Sequence, residues 1–169
     1  MKQDNNFRSG QIEMKGYPTG NRMSFNATVR RIIIDWGDGV VEEVTPNDVE
    51  KTFTHEYTNN NLQTITITTD GVAGFGCSST SGIYHELRFG DCPNLKEIYC
   101  DGNSLTVLDI KKARALELLD CSYNQLTAEA LNTTFETLPA VSGHINIRGN
   151  PNTSTCNREI AINKGWSVH

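Results

Sequence analysis

The stretch LKEIYCDGNSL, residues 95–105, returns twenty-one residues further along the chain as LELLDCSYNQL, residues 116–126. The two stretches share leucine at the first and last positions, an aliphatic residue at the fourth, cysteine at the sixth and asparagine at the ninth. Five positions that recur together at a fixed offset are the signature of a repeated structural unit. The second half of the chain is therefore predicted to be an array of short repeats.

The same pattern extends toward the N-terminus as a weaker copy. Moving back by twenty-one residues replaces most of the motif by small residues but keeps apolar ones at its end. The members of this copy are Gly74, Cys77, Ser79, Gly82, Tyr84, Leu87 and Phe89.

The pattern also continues toward the C-terminus, where Ile145, Ile147 and Asn150 form a copy offset by twenty-six residues. The offset is longer because TAEALNTTFETLP, residues 127–139, has the apolar spacing of a helix that ends before its proline. The final fifteen residues predict another short helix, a stop at Gly165 and a closing strand with Trp166 and Val168 inward. We place the copies at residues 74–94, 95–115, 116–141 and 142–163, and the closing strand at residues 164–169.

A short strand in each copy exposes alternate residues and buries the others against the next copy. Asn103, Asn124 and Asn150 follow these strands, and their amides both donate and accept hydrogen bonds. We expect them to cap backbone groups of adjacent copies that would otherwise be buried unpaired. Cysteine at the buried strand position serves as a small apolar filler.

These copies resemble the leucine-rich repeat family, in the short bacterial type written L-x-x-L-x-C-x-x-N-x-L-x-x-L-D. The likeness covers about residues 74–169, and Leu108-Asp109-Ile110 keeps the end of the motif. It implies a solenoid of parallel strands with an extended binding face. The segments GNP, residues 149–151, and KGWSV, residues 164–168, look like the closure of such arrays in Bacteroidetes surface proteins.

Residues 24–70 carry strand signals separated by turns. SFNATV and RRIIID lead into WGDG, where Asp38-Gly39 is a strong hairpin signal. VVEEV, KTFTHEY and LQTITITTDG follow, and Ile65 and Ile67 share one face of the last strand. QIEMKG and the loop YPTGNR supply a candidate first strand and its turn. Short strands at this spacing predict a β-sandwich.

The turn DWGDG, residues 35–39, and the later THEY, residues 54–57, followed by a Thr/Ile strand, resemble the polycystic kidney disease (PKD) domain family. Trp36 stands where that family usually has phenylalanine. The likeness covers about residues 5–72. It implies an immunoglobulin-like sandwich that serves outside the cell as a spacer or binding module.

The expected fold class is therefore α+β. An N-terminal immunoglobulin-like (PKD-like) β-sandwich at residues 1–72 is followed by a short leucine-rich-repeat solenoid with parallel strands at residues 73–169. No Gly/Ser-rich or Pro-rich linker separates the two units, so we expect one rigid body with a continuous core.

The composition and net charge of the chain argue against some classes of partner and location. The chain has 169 residues, a formal net charge of −5 and an isoelectric point near 5.3. This balance argues against a nucleic-acid partner, which usually meets a basic face. No window approaches the roughly eighteen consecutive apolar residues of a membrane span, and the opening MKQDNNFRSG lacks the apolar core of a signal peptide. The chain is either cytosolic or exported without its targeting segment, and the surface-protein resemblance favours an extracellular or cell-surface location.

The five cysteines are odd in number and contain no Cys-x-x-Cys pair, so they indicate neither a zinc site nor a disulfide framework. Cys100 and Cys121 should lie on neighbouring strands as buried, reduced thiols. A nucleophilic pair of Cys100 with His144 is not expected, because the repeat alignment points the first inward and the second outward.

The outward strand positions form the candidate binding surface. An exposed tyrosine and an exposed leucine among hydrogen-bonding groups suit a protein or glycan partner. The alternative is an ordinary solvated sheet. The nine positions are Glu97, Tyr99, Asp101, Leu118, Asp120, Ser122, His144, Asn146 and Arg148.

Polar and aromatic residues of the first half are given structural roles. Two aspartates in one turn fall short of the several oxygen ligands that calcium requires, and more simply cap the hairpin. The His55 imidazole and the Tyr57 hydroxyl are expected to connect a loop to the sandwich backbone, as in a tyrosine corner. These residues are Asp35, Trp36, Asp38, Gly39, His55 and Tyr57.

The leading prediction is a non-enzymatic, exported binding or adhesion module that recognises a protein or glycan through the repeat sheet. The alternative is a structural spacer or stalk of a bacterial surface protein. A hydrolase fragment fits less well, because no acid, base and nucleophile converge in the sequence. We expect a monomer with no cofactor and no metal.

Overall fold

The computed structural model describes residues 10–78 and 82–169. Ser79 of the weak copy and residues 1–9 of the predicted first unit lie outside the described residues. The described chain contains thirteen strands and two helices: β1 (Gly10–Tyr17), β2 (Arg22–Val29), β3 (Ile32–Asp35), β4 (Val41–Val44), β5 (Val49–Glu56), β6 (Gln63–Thr69), β7 (Val72–Gly76), β8 (Ile83–Phe89), β9 (Glu97–Tyr99), β10 (Val107–Asp109), β11 (Leu118–Asp120), α1 (Ala128–Thr137), β12 (Gly143–Asn146), α2 (Glu159–Ile162) and β13 (Trp166–Val168).

The strands form two mixed sheets. A six-stranded sheet has the order β10-β8-β1-β6-β3-β4, and a seven-stranded sheet has the order β13-β12-β11-β9-β7-β2-β5. In the seven-stranded sheet β7 pairs antiparallel with β2 on one side and parallel with β9 on the other. In the six-stranded sheet β8 pairs antiparallel with β1 and parallel with β10. Each sheet therefore changes from antiparallel to parallel pairing at one strand.

The inner faces of the two sheets pack against each other around one apolar cluster. Phe75 of the seven-stranded sheet meets Phe89 of the six-stranded sheet edge to face, with ring centroids 5.3 Å apart. The Tyr84 hydroxyl of β8 donates a 2.6 Å hydrogen bond to the Ser24 carbonyl of β2. Period-2 alternation explains this core, since alternate side chains of most strands point inward.

The antiparallel strands and turns expected in residues 10–70 are confirmed. β3 and β4 form the hairpin around Asp38-Gly39, and the Trp36 amide donates to the Val40 carbonyl at 3.0 Å. Ile65 and Ile67 of β6 are both buried, whereas Thr64, Thr66 and Thr68 lie on the outer face of the strand.

The two helices and the closing strand are also confirmed. Thr127 caps α1, because its side chain accepts a hydrogen bond from the Ala130 amide. α1 packs against β10, the last strand of the six-stranded sheet, and α2 packs against β13. Gly165 ends the last turn with a positive φ of 96°, and Trp166 is buried.

The expected fold class is wrong. The chain is mostly β and is organised as two mixed sheets, and it does not form a sandwich followed by a solenoid. The sequence interpretation assigned one strand to each repeat and stacked the repeats on one another. Instead β10 joins the opposite sheet, and β7 and β8 pair with strands of the first half. Both sheets therefore draw strands from either side of residue 72, while the division at that residue stays a prediction.

The spacing between the copies in the sequence equals the register between the parallel strands. β11 pairs Leu118 with Glu97, twenty-one residues earlier, and with His144, twenty-six residues later. In the weak copy β8 keeps the offset of twenty-one, with Leu87 opposite Leu108.

The alignment of the weak copy is wrong at its first strand. β7 pairs Gly74 with Glu97 and Phe75 with Ile98, an offset of twenty-three residues. The predicted match of Cys77 with Ile98 is therefore displaced by two residues. The two additional residues fall between Cys77 and Tyr84 in the chain.

Three buried or half-buried asparagines connect successive copies with the same hydrogen bonds. The Asn124 Oδ1 accepts from the Leu105 amide at 2.9 Å, and its Nδ2 donates to the Cys100 carbonyl at 2.9 Å. Asn103 makes the equivalent bonds to the Tyr84 amide and the Cys77 carbonyl. Asn150 bonds the Leu126 amide and the Cys121 carbonyl. Each amide thus fixes the position of one copy relative to the one before it.

Replacement of Asn124 by alanine should lower the free energy of unfolding by about 2–4 kcal/mol, because buried backbone groups of two copies lose their partner. Urea denaturation measures this difference. Asn94→Ala is the matched control, since Asn94 is exposed, and its change should stay within about 0.5 kcal/mol. Equal effects of the two substitutions would contradict the structural role of Asn124.

Candidate functional site

The outer face of the seven-stranded sheet carries its outward side chains in two rows that run across the strands. One row is Glu50, Thr28, Gly74, Glu97, Leu118, His144 and Ser167, each opposite its neighbour on the adjoining strand. The second row is Thr52, Asn26, Gly76, Tyr99, Asp120 and Asn146. Residues far apart in the chain therefore form one continuous surface.

A trough interrupts these rows where β7 contributes two glycines. Gly74 and Gly76 carry no side chains on the outer face, and larger residues of β2, β5 and β9 flank them. A Cβ added to Gly76 would lie 3.8 Å from Asn26 and 3.9 Å from the Tyr99 side chain, so the floor of the trough is open. The concavity has a volume of about 460 Å³ and is lined by Asn26, Ala27, Thr28, Glu50, Gly74, Phe75, Gly76, Ser78, Glu97, Tyr99 and Asp101.

The polar groups of the trough differ in how they are held. The Ser78 hydroxyl bonds the Asp101 carboxylate, and its oxygen accepts from the Asp101 amide at 3.1 Å, which fixes that wall. The Oδ1 of Asn26 is buried and has no hydrogen-bond partner among the described residues. Burial and the neighbouring Glu97 carboxylate raise the pKa of the Tyr99 hydroxyl, so Tyr99 is a neutral donor at physiological pH.

The nine predicted binding residues divide between the trough and the rest of the outer face. Glu97, Tyr99 and Asp101 line the trough. His144 and Arg148 are exposed but lie outside it, whereas Leu118, Asp120 and Asn146 are partly exposed. Ser122 is buried, with a relative exposure of 3%, whereas the sequence predicted that it faces solvent.

Asp120 organises its neighbours on the outer face. Its Oδ1 accepts from the Ser122 hydroxyl at 2.6 Å and from the Ser122 amide at 3.0 Å. Its Oδ2 accepts from the Asn146 amide group at 3.1 Å. This network links the strand ends of β11 and β12 beside Tyr99.

Sequence reasoning missed the part of the site that comes from the first half of the chain. Asn26, Thr28 and Glu50 reach the trough only because β7 pairs antiparallel with β2 and β2 pairs with β5. The detectable signal was VAGFG, residues 72–76, in which two glycines share one face of a strand. Glycine in a strand interior often marks the close approach of a ligand or another backbone.

The residues given structural roles in the first half lie around the β3–β4 hairpin. Asp35 accepts from the Gly37 amide at 2.9 Å, and Asp38 accepts from the Val40 amide at 3.1 Å. Gly39 has a positive φ of 96°, which the tight turn requires. In the described ranges, no three His, Cys, Asp or Glu side chains converge to hold a metal ion.

An aromatic cluster supports this hairpin from β5. The Tyr57 hydroxyl donates to the Trp36 carbonyl at 2.9 Å, and the His55 ring stacks on the Trp36 indole with centroids 5.1 Å apart. The His55 Nε2 lies 2.7 Å from the Asp38 carboxylate. The His55 imidazole therefore contacts Asp38 and Trp36 within the fold and is not positioned to act on a substrate.

Four of the five cysteines lie in buried environments that suppress the reactivity of their thiols. Cys77, Cys100 and Cys121 are buried, and burial raises the pKa of each thiol well above its ordinary value. Burial also raises the pKa of Cys92, to about 11. All five cysteines are thiols outside disulfide bonds.

Scans against protein-family models, curated proteins and solved structures return no match for this chain. Within residues 10–78 and 82–169, no helix combines the length and apolar character needed to cross a bilayer.

Acidification should weaken the fold through Asp38. Partial burial raises the pKa of this carboxyl, but its hydrogen bonds with His55 and the Val40 amide outweigh burial and hold the pKa below its ordinary value. The stability from Asp38 is therefore present above about pH 4 and is lost as the pH falls through the lower folded-state pKa. Urea denaturation from pH 7 to pH 3 should show a smaller loss for Asp38→Asn than for the unchanged chain. Identical losses would exclude this role.

Gly76→Ala tests the open floor of the trough, and Gly143→Ala, in β12 outside the trough, is the contrasting substitution. Gly76→Ala should raise the free energy of unfolding by about 0.5–1 kcal/mol, because the Cβ meets only ordinary contacts and the unfolded chain loses freedom. Gly143→Ala should lower it by about 1–3 kcal/mol, because its Cβ would lie 2.8 Å from the Trp166 ring and 2.9 Å from the Glu117 carbonyl. Thermal denaturation separates the two, and a destabilising Gly76→Ala would contradict an open floor.

Proposed function

We propose that this chain is a non-enzymatic binding module that recognises a protein or glycan partner through the outer face of its seven-stranded sheet. The trough over Gly74 and Gly76 is the observation that carries the proposal. Its volume of about 460 Å³ falls within the range of small-ligand sites, and hydrogen-bonding groups border an exposed tyrosine there. Tyrosine is enriched at interfaces because it combines a large apolar ring with a polar tip.

The rigid setting of the trough supports this proposal. The trough is built on paired strands, and sites on strands hold their side chains more closely than sites on loops. The Asp101 wall is fixed by Ser78, and Asp120 ties Ser122 and Asn146 beside Tyr99. The surface is therefore preorganised, which lowers the entropic cost of binding.

The chemistry of the reactive side chains favours binding over catalysis. A cysteine nucleophile acts as its thiolate, and the raised pKa values of Cys77, Cys92, Cys100 and Cys121 keep these thiols protonated at neutral pH. The His55 imidazole contacts the Asp38 carboxylate and stacks on the Trp36 indole, so both its edge and its face are occupied within the fold.

We also propose that the module works at the cell surface of a bacterium, as an adhesion or recognition unit. The support is the resemblance of the DWGDG and THEY motifs to PKD domains, and of the repeated L-x-x-L-x-C-x-x-N motif to bacterial surface proteins. Fractionation of the source cells, followed by detection with an antibody to this chain, tests the location. A purely cytosolic signal would contradict it.

A binding screen tests the proposed function. The purified chain is applied to arrays of glycans and matrix proteins beside the triple variant Tyr99→Ala, Asp120→Ala and Arg148→Ala. The variant should lose affinity for a saturable ligand by about tenfold or more, because it removes the exposed ring and two charged groups of the outer face.

The control is a matched triple variant on the other sheet. Tyr17→Ala, Glu13→Ala and Arg88→Ala remove the same residue types, or a close equivalent, from the outer face of the six-stranded sheet. This control should bind like the unchanged chain. A ligand lost only in the control would move the site to the six-stranded sheet, and absence of any saturable ligand would favour the spacer role.

A further inference from the structure

We infer that the trough binds a protonated amine or guanidinium group carried on a short flexible chain. The inference rests on the proposed function, because it places recognition on the same face and names the chemistry of the ligand. Two features of the trough point to a cation, namely its charge and its exposed ring, and its shape limits the size of the ligand.

The charge of the trough is of one sign. Glu50, Glu97 and Asp101 contribute three carboxylates from β5, β9 and the turn after β9. No lysine, arginine or histidine is among the described residues that line it. Three carboxylates around one concavity raise the local concentration of cations and repel anions. Sulfated or phosphorylated ligands are therefore disfavoured.

The exposed ring supplies a second attraction for a cation. Tyr99 has a relative exposure of 41% and lines the trough beside the glycine floor. Burial and, after it, the nearby Glu97 carboxylate raise the pKa of the Tyr99 hydroxyl, so the ring carries no charge at neutral pH. A cation within about 6 Å of an aromatic centroid is attracted by the ring quadrupole. An ammonium or guanidinium group over the floor reaches both the ring and the carboxylates.

The carboxylates that line the trough favour a ligand that carries hydrogen-bond donors. Ionised carboxylates accept hydrogen bonds without donating any. Ammonium and guanidinium groups are donors without an acceptor, so they match this set.

The shape of the trough limits the size of the cationic group. The two glycines leave room for about 460 Å³, which holds a charged head and several methylene groups but not a folded domain. The shared chemistry has two sources. One is a free polyamine, and the other is a lysine or arginine side chain of a peptide segment.

Titration calorimetry at low ionic strength tests the inference with two probes, spermidine and acetyl-Gly-Arg-Gly-amide. Acetyl-Gly-Gln-Gly-amide is the neutral counterpart of the peptide. We expect saturable binding of at least one cationic probe, and its affinity should fall several-fold when sodium chloride rises from about 20 mM to about 300 mM. The probe that binds more tightly identifies the source. Binding of neither probe, or equal binding of the neutral peptide, would overturn the inference.

Variants then locate the binding. Glu50→Gln and Glu97→Gln should each weaken the affinity by about two- to fivefold, as expected for partly exposed charge pairs. Gly76→Val should abolish binding, because its side chain occupies the floor. Tyr99→Phe should retain binding, whereas Tyr99→Leu should weaken it. Thermal denaturation confirms that each variant folds.

Glu136→Gln is the matched control, because Glu136 is exposed on α1 and outside the trough. It removes one negative charge and should leave the affinity unchanged. Cation binding that persists in Gly76→Val, or that weakens equally in Glu136→Gln, would show general attraction to an acidic protein and overturn the inference. Failure of this inference is distinguishable from failure of the proposed function. If a neutral ligand from the array binds the unchanged chain and is lost in the Tyr99, Asp120 and Arg148 triple variant, the proposed binding face stands and only the cationic ligand is wrong.

Discussion

The hydrogen bonds of three asparagine side chains set the geometry on which the rest of the structure depends. Asn103, Asn124 and Asn150 each accept from an amide of the preceding copy and donate to one of its carbonyls. A buried backbone group without a partner is costly, so a copy displaced by one residue would leave several groups unsatisfied. The parallel strands are therefore held in one register. That register places every second side chain of β9, β11 and β12 on the outer face.

The candidate site arises where this parallel array meets the antiparallel strands. β7 serves both halves, because its hydrogen bonds run antiparallel to β2 and parallel to β9. Its inward Phe75 completes the core, while Gly74 and Gly76 leave the outer face empty between Asn26 and Tyr99. One short strand thus supplies a packed interior and an open floor. Acidic side chains from β5 and β9 then give the trough its charge.

Local structure was predictable from the sequence, whereas the assembly of the sheets was not. The Asp38-Gly39 hairpin, the helix before Pro139 and the register of Leu118 opposite Glu97 follow from turn chemistry and periodicity. The two-sheet arrangement depends on the pairing of β7 with β2, which joins residues 43 to 50 positions apart and leaves no local pattern. The sequence predicted only the part of the site that belongs to the repeat, which is Glu97, Tyr99 and Asp101. Asn26 and Glu50 lie outside the repeat and reach the site through the same long-range pairing.

The continuity of the seven-stranded sheet across β7 and β9 is the central claim, and amide hydrogen exchange tests it most directly. The Cys77 amide donates to the Tyr99 carbonyl at 2.8 Å, and the Lys96 amide donates to the Ala73 carbonyl at 2.9 Å. If the two halves form one sheet, these amides should exchange as slowly as those of β2 and β11, through global unfolding. Fast exchange at Cys77 and Lys96, with β2 and β11 still protected, would show that the halves separate and that no fixed trough exists.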